Sequence, residues 1–359
     1  MQIINKLLRL KKIYIFLISF VIFIINFSTT YLHANNFKVS DIEISSLFEL
    51  DFKKSDVIDD GFRASFLNLL FMITTSGDRI KIKNTPIKEL KNMIDSFTIS
   101  DEKFINNEYF AKLETTFNKK KVLNFLERKG IFPSIPIKNK VLLIPILVDT
   151  ETNNIYLFDN NLFYQKWNDI SKSYQLLEYL LPSEDLEDLK KIQEMSNSIE
   201  TYNFINLLTK YDLKDYIISI IYKNKNEVKI LSKINLKDSY KIHNQKFSKV
   251  NLNNKKDLNK IIENLKSVYE DQWKKINEIN TSIKLPLTIS VNSKDYKKIM
   301  NLEAVLEDID LISNFYILKF DNKQTQYKVI YNGSPKKFFN DMSNRNFKLV
   351  MENSVWTVK

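Results

Sequence analysis

The chain predicts a mixed α/β and α+β protein: small β-α-β sandwich modules followed by a C-terminal ferredoxin-like β-α-β-β-α-β domain. Three observations lead there. Tyr109–Phe117 alternates Tyr109, Ala111, Leu113, Thr115 and Phe117 with more polar neighbours, the period-two pattern of a half-buried strand. Val141–Val148 is a nearly unbroken apolar run, which suits a strand covered on both faces. Between them, Asn118 offers an N-cap, Lys119–Lys129 carries Val122, Leu123, Phe125 and Leu126 on one side, and Gly130 sits where a helix stops. Tyr109–Val148 therefore reads as one β-α-β unit with a right-handed crossover.

The chain begins with a separate segment. Lys6, Arg9, Lys11 and Lys12 precede the apolar run Ile13–Phe27, and Leu32-His33-Ala34 ends in a small residue suited to signal-peptidase cleavage. An uncleaved anchor is the rival, because the run is long for a signal-peptide core and short for a membrane span. Either way the positive flank stays in the cytoplasm and the body is expected in the periplasm, tethered to the inner membrane if the leader is kept. No Cys follows the run, which excludes a lipoprotein. The expected divisions are a leader over 1–34, an N-terminal α/β domain over 35–150, a second α/β domain over 151–284 ending in a long amphipathic helix, and the ferredoxin-like domain over 285–359.

Phe37–Glu49 reads as one strand or two short ones. Ser55 or Asp56 caps a helix running to about Thr74, with Phe62, Phe66, Leu69, Leu70 and Ile73 buried. Gly61 inside it costs about 1 kcal/mol relative to Ala, so close packing against a strand is expected there. Thr75–Asp78 reads as a turn and Ile87–Phe97, after Pro86, as a second helix. Beyond the central unit come a strand at Asn154–Phe158 and an aromatic connection, Leu162–Asn168, whose Trp167 serves either packing or a ligand platform. Pro182–Met195 is a helix whose early acids (Glu184, Asp185, Glu187, Asp188) answer its macrodipole rather than a metal. Tyr202–Tyr211 reads as a helix feeding a strand at Tyr216–Tyr222, which pairs with Glu227–Ile234.

Lys255 to about Asn280 is the clearest helix: Leu258, Ile261, Ile262, Leu265, Val268, Trp273, Ile276 and Ile279 recur at three- and four-residue spacing, and its other face is charged. After Pro286 the order is strand (Leu287–Val291), helix (Lys294–Leu306), strands at Phe315–Phe320 and Tyr327–Tyr331, helix (Pro335–Met342), and a strand or hairpin over Phe347–Val358. That order is the ferredoxin-like plan.

Composition excludes more than it identifies. The net charge of +11 falls to +7 without the four basic residues of the leader. Only Arg9, Arg63, Arg79, Arg128 and Arg345 among the 54 basic residues are Arg, a skew that speaks against phosphate recognition by planar forks. There is no Cys, and beyond the leader His243 is the sole histidine, in a polar stretch read as a solvated loop. Zinc, haem, thiol and histidine-assisted sites thus lack their usual ligands and bases, so neither a cofactor nor a metal is expected. Phosphate-cradling glycine motifs are absent as well. Asp59-Asp60 and Asp308/Asp310 are the acid pairs left for a carboxylate hydrolase. Lys119-Lys120-Lys121 is the strongest basic cluster, read as a solvated face or an anionic surface contact. Nucleic acid is not expected.

Asp60-Gly61-Phe62-Arg63-Ala64-Ser65-Phe66-Leu67 leading into Thr74-Thr75-Ser76-Gly77-Asp78, together with Tyr109–Phe117, Lys119–Gly130, Val141–Val148 and Tyr164–Asn168, resembles a domain-of-unknown-function family of exported proteobacterial proteins. The resemblance spans residues 37 to 235 and implies α/β modules similar to the N-terminal domain of TolB. It brings no activity and no catalytic residue. The expectation is a non-enzymatic envelope protein acting as an interaction or assembly module with an envelope protein partner, touching membrane only through an uncleaved leader. The alternatives are an envelope hydrolase using a carboxylate pair and a small-ligand carrier with an apolar pocket near Trp167.

Overall fold

In the computed structural model, which describes residues 37–352 and 355–359, helices and strands contribute about equally and the strands form three sheets. The leader expected over 1–34 lies outside the described residues. No helix among those described is long and apolar enough to cross a membrane.

The first sheet has the antiparallel order β1-β3-β2, from Lys38–Leu47 (β1), Ile94–Ile105 (β2) and Glu108–Phe117 (β3). A bulge between Val39 and Ile42, with Asp41 at φ 58°, keeps β1 a single strand. Helix α1 (Lys54–Ile73) lies across one face and buries Phe62, Phe66, Leu69 and Leu70 against Ile44 and Leu113. Gly61 is the point of closest approach: a Cβ there would sit 2.8 Å from Leu113 Cδ2 and 2.9 Å from Ile44 Cγ2. A side chain at this position would hold the helix off the sheet.

Three expectations fail in this region. Thr75–Asp78 is not a turn: Thr75 caps a short helix, α2 (Ser76–Ile82). The helix expected over Ile87–Phe97 stops after α3 (Ile87–Asn92), and the chain turns at Met93 into β2. Leu90 and Met93 point into the core at helical spacing, but the stretch after Ile94 is rich in β-branched and hydroxyl residues and pairs along β3 instead. The central β-α-β unit is also not a unit. After α4 (Lys119–Arg128) the chain enters β4 (Asn139–Asp149), which belongs to a second sheet. The two burial patterns explain the split. β3 hides alternate residues, as a strand with one wet face does, whereas β4 is buried almost throughout and needs cover on both sides.

The second sheet runs β5-β4-β7-β8-β9, formed by β4 with Asn154–Tyr156 (β5), Tyr216–Asn224 (β7), Glu227–Leu236 (β8) and Ser239–Ser248 (β9); Leu177–Leu180 (β6) also pairs with β4. β4 is parallel to β6 and β7 and antiparallel to β5. The short helix α5 (Leu162–Lys166) precedes Trp167, which is fully buried, edge-on to Tyr179 and stacked with Tyr269, so it is a core residue. Helices α6 (Leu186–Glu194) and α7 (Ile205–Leu208) stand where longer helices were expected; their Ile192 and Leu207 join Phe204 over Ile144, Ile146 and Ile218. The opposite face is covered by α8 (Lys255–Ile276), through Leu258, Ile261, Ile262, Leu265, Tyr269 and Trp273. His243 is not in a loop but on the edge strand β9, opposite Ser232.

The third sheet has the order β11-β12-β10-β14-β13, from Leu285–Asn292 (β10), Ile312–Phe320 (β11), Gln324–Tyr331 (β12), Leu349–Glu352 (β13) and Val355–Val358 (β14), with helices α9 (Tyr296–Asp308) and α10 (Pro335–Ser343). The last element is a hairpin. Its second arm lies parallel to β10, with Ile289 opposite Trp356, a pairing absent from an all-antiparallel ferredoxin-like sheet. Lys119 and Lys120 reach this part of the molecule: Lys119 Nζ donates to Ile309 O (3.1 Å) and Asp310, and Lys120 Nζ donates to Asn314 Oδ1 (2.7 Å). The basic cluster is thus largely used inside the fold.

Candidate functional site

Helix α8 carries a second stripe beside its apolar one. Lys266, Glu270 and Lys274 follow at four-residue spacing, each immediately after a core residue (Leu265, Tyr269, Trp273). On an isolated amphipathic helix they would flank the buried face in water. Here α2 and the 170–177 segment fold over them, leaving Lys266 at 2 %, Glu270 at 6 % and Lys274 at 4 % exposure. They line a cavity of about 210 Å³ with Phe71 and Arg79 on one side and Ile170 and Tyr174 on the other.

The helix α2 is fixed on α8 by Asp271, which accepts from Ser76 N (2.8 Å) and from the Ser76 hydroxyl. This carboxylate at an N-terminus also suits the helix dipole. One turn on, Arg79 lies over the Phe71 ring at 4.4 Å, and Phe71 stacks on Tyr174 with centroids 4.2 Å apart and planes 11° apart. Arg79 spends one Nη1–H on Thr74 O at 2.8 Å. Burial lowers its pKa, and Asp271 and Tyr174 oppose that.

Lys266 is satisfied locally. Its ammonium donates to Ile170 O at 2.6 Å and lies over the rings of Trp167 (5.6 Å) and Tyr179 (5.2 Å). Burial still pushes it down to about 8, with Glu270 opposing.

Glu270 and Lys274 are less well served. Glu270 Oε1 accepts from the backbone N–H of Leu176 (2.9 Å) and Leu177 (2.8 Å), which pins the 170–177 segment to the helix. No described donor reaches its other oxygen, Oε2. The Lys274 ammonium stands 3.8 Å from Oε2, an ion pair too long for a hydrogen bond. Burial raises the Glu270 pKa, with Lys274 and the two N–H groups opposing. Burial lowers Lys274 to about 8; Glu270 opposes this and Arg79 adds to it. Arg79, Lys172, Lys266 and Lys274 face Glu263 and Glu270 around the cavity, so positive charge is in excess.

The acids singled out from the sequence lie elsewhere, and all but the exposed Asp60 are engaged. Asp59 pairs with Lys91 at 2.6 Å, and Asp308 with Arg345 at 2.9 Å. Asp185 caps α6, and it and Asp188 each hold Lys210 at 2.7 Å. His243 borders a separate shallow recess with Lys241 and Asp271; burial and then Lys241 lower its pKa. Sequence reasoning passed over Arg79, Glu270 and Lys274. The available signal was the run of three charges next to apolar residues at fixed four-residue spacing. No protein-family model and no curated protein matches this chain, so its site is defined by this geometry alone.

Proposed function

We propose that this is a non-enzymatic, ligand-binding protein of the cell envelope, whose cavity between α2, α8 and the 170–177 segment holds a small anionic molecule. The observation that carries the reading is the Lys274 ammonium: nearly buried, in a cavity with excess positive charge, and donating no hydrogen bond to its neighbouring carboxylate. A buried charge left in this state is costly and marks a place where a counter-charge belongs. The aromatic pair Phe71–Tyr174 supplies an apolar wall, as small-molecule sites commonly have. Placement in the envelope rests on the basic, then apolar, leader sequence over residues 1–34.

The test is a thermal melt of the purified chain with acetate, inorganic phosphate and a panel of small organic acids. A ligand at 100 times its Kd adds about 2.7 kcal/mol. At least one anion should raise the midpoint for wild type and leave Lys274→Met unmoved. A flat response to the whole panel would sink the reading.

A second reading, docking of an extended segment of an envelope protein, is supported by β11. This edge strand exposes Tyr316, Ile317, Leu318 and Phe320, each at least 49 % accessible, on both of its faces. Unpaired backbone groups beside such side chains can add a further strand. In-cell cross-linking should capture an envelope partner at residues 315–320, and Leu318→Lys should abolish the capture.

A further inference from the structure

We infer that the ligand of this cavity is a zwitterion of amino-acid size, with its carboxylate directed to Arg79 and Lys274 and its ammonium directed to Glu270 Oε2. The inference rests on the ligand-binding reading above and specifies the ligand's chemistry.

A plain anion answers only half of the site. Lys274 Nζ and Glu270 Oε2 are 3.8 Å apart, so any group that approaches the one approaches the other. An anion docked on the lysine meets a carboxylate oxygen that no described donor satisfies, and the two negative charges repel. A plain amine docked on Oε2 meets Lys274 and Arg79 with the same result. A ligand carrying both signs on adjacent carbons satisfies each group with its opposite. It completes three charge-assisted contacts that the protein cannot make internally.

The other walls agree. Glu270 is held in place by its second oxygen, which accepts from Leu176 and Leu177, so Oε2 is a fixed acceptor. Lys266 is already bound to Ile170 O and does not compete for the ligand. The Arg79 guanidinium lies over the Phe71 ring. The volume of about 210 Å³ leaves room for a molecule of amino-acid size. The Phe71–Tyr174 pair leaves an apolar surface for a side chain.

The experiment is isothermal titration of the purified full chain with the common L-amino acids. The best binder is followed by its own des-amino acid, the matching amine without the carboxylate, and inorganic phosphate. The zwitterion should bind at least tenfold more tightly than either truncated form. Glu270→Gln keeps the acceptor for Leu176 and Leu177, so it should fold; it should weaken the amino acid about tenfold and leave the des-amino acid unchanged or tighter. Lys274→Met should weaken both, with a melting curve reporting that the variant is folded. If the des-amino acid or phosphate binds as well as the amino acid, the zwitterion is wrong and the anion site stands. If no probe binds, both readings fall together.

Discussion

Replacing Glu270 and Lys274 together should make the protein more stable while removing its ligand. The folded chain keeps Lys274 in a place where it titrates near 8. An unfolded lysine titrates near 10.4, so keeping it charged at pH 7 costs about 3 kcal/mol. The 3.8 Å contact with Glu270 returns little of this through hydrogen bonding, and the carboxylate carries its own burial penalty. In the pair Glu270→Gln with Lys274→Met, Gln retains an acceptor for Leu176 and Leu177, and Met fills the lysine's volume without its charge. Buried ion pairs replaced by apolar groups of similar shape gain about 1–4 kcal/mol. At ~2.1 cal/mol/K of unfolding entropy per residue, such a gain moves the midpoint of a chain this size by about 1–5 °C. Circular-dichroism melts of the double variant, both single variants and wild type at pH 7 would measure it. Lys274→Met alone should fall below the double variant, because it leaves the Glu270 carboxylate buried without its ion-pair partner. A double variant less stable than wild type by more than about 1 kcal/mol would refute the reasoning, because the pair would then be a brace of the fold.

Other outcomes follow from the same structure. Lys266 and Lys274 titrate near 8 when folded and near 10.4 when unfolded. The unfolded chain therefore binds more protons in between, and these groups should make stability rise with pH from about 8 to about 10.4; urea midpoints should show the rise in wild type and a smaller one in the double variant. Gly61→Ala should cost roughly 1–2 kcal/mol, since contact with branched side chains of Ile44 and Leu113 outweighs the helix propensity gained. Gly77→Ala on α2 meets nothing within 4 Å and should be neutral or stabilising in the same urea titration. Tyr269→Phe should cost about 1–3 kcal/mol, because the hydroxyl bridges Ser219 Oγ (2.6 Å) and Ser232 Oγ (2.7 Å) inside the core.

The elements best read from sequence were those whose burial has a period. α1 and α8 carry wide apolar stripes, β4 and β7 are continuous apolar runs, and β3 and β12 alternate. β2 and β9 were missed for the opposite reason. Both are edge strands in which no residue is fully buried: β2 shows no period, and β9 alternates only between half-buried and exposed residues, so their existence depends on backbone bonds to β3 and β8. β6 is only four residues long. The false β-α-β unit is a different kind of error: a local pattern identifies a strand but not the sheet it joins. The pocket was illegible because Lys266, Glu270 and Lys274 look like the solvated flank of an amphipathic helix. Only the fold of α2 and the 170–177 segment, both weakly patterned, takes them out of water.

The parallel pairing of β4 with β7 sets a timetable for the chain. Leu142 lies beside Tyr216, and the registered partners run from there to Asp149 opposite Lys223. A segment of more than sixty residues must be synthesised and looped before this contact can close, which slows folding as non-local pairings do. Until then β4, almost wholly apolar, keeps the edge that β7 will take unpaired, the kind of surface that aggregates or recruits a holding chaperone. The stretch that later forms the centre of the second sheet is therefore, during biogenesis, the part of the molecule most in need of protection.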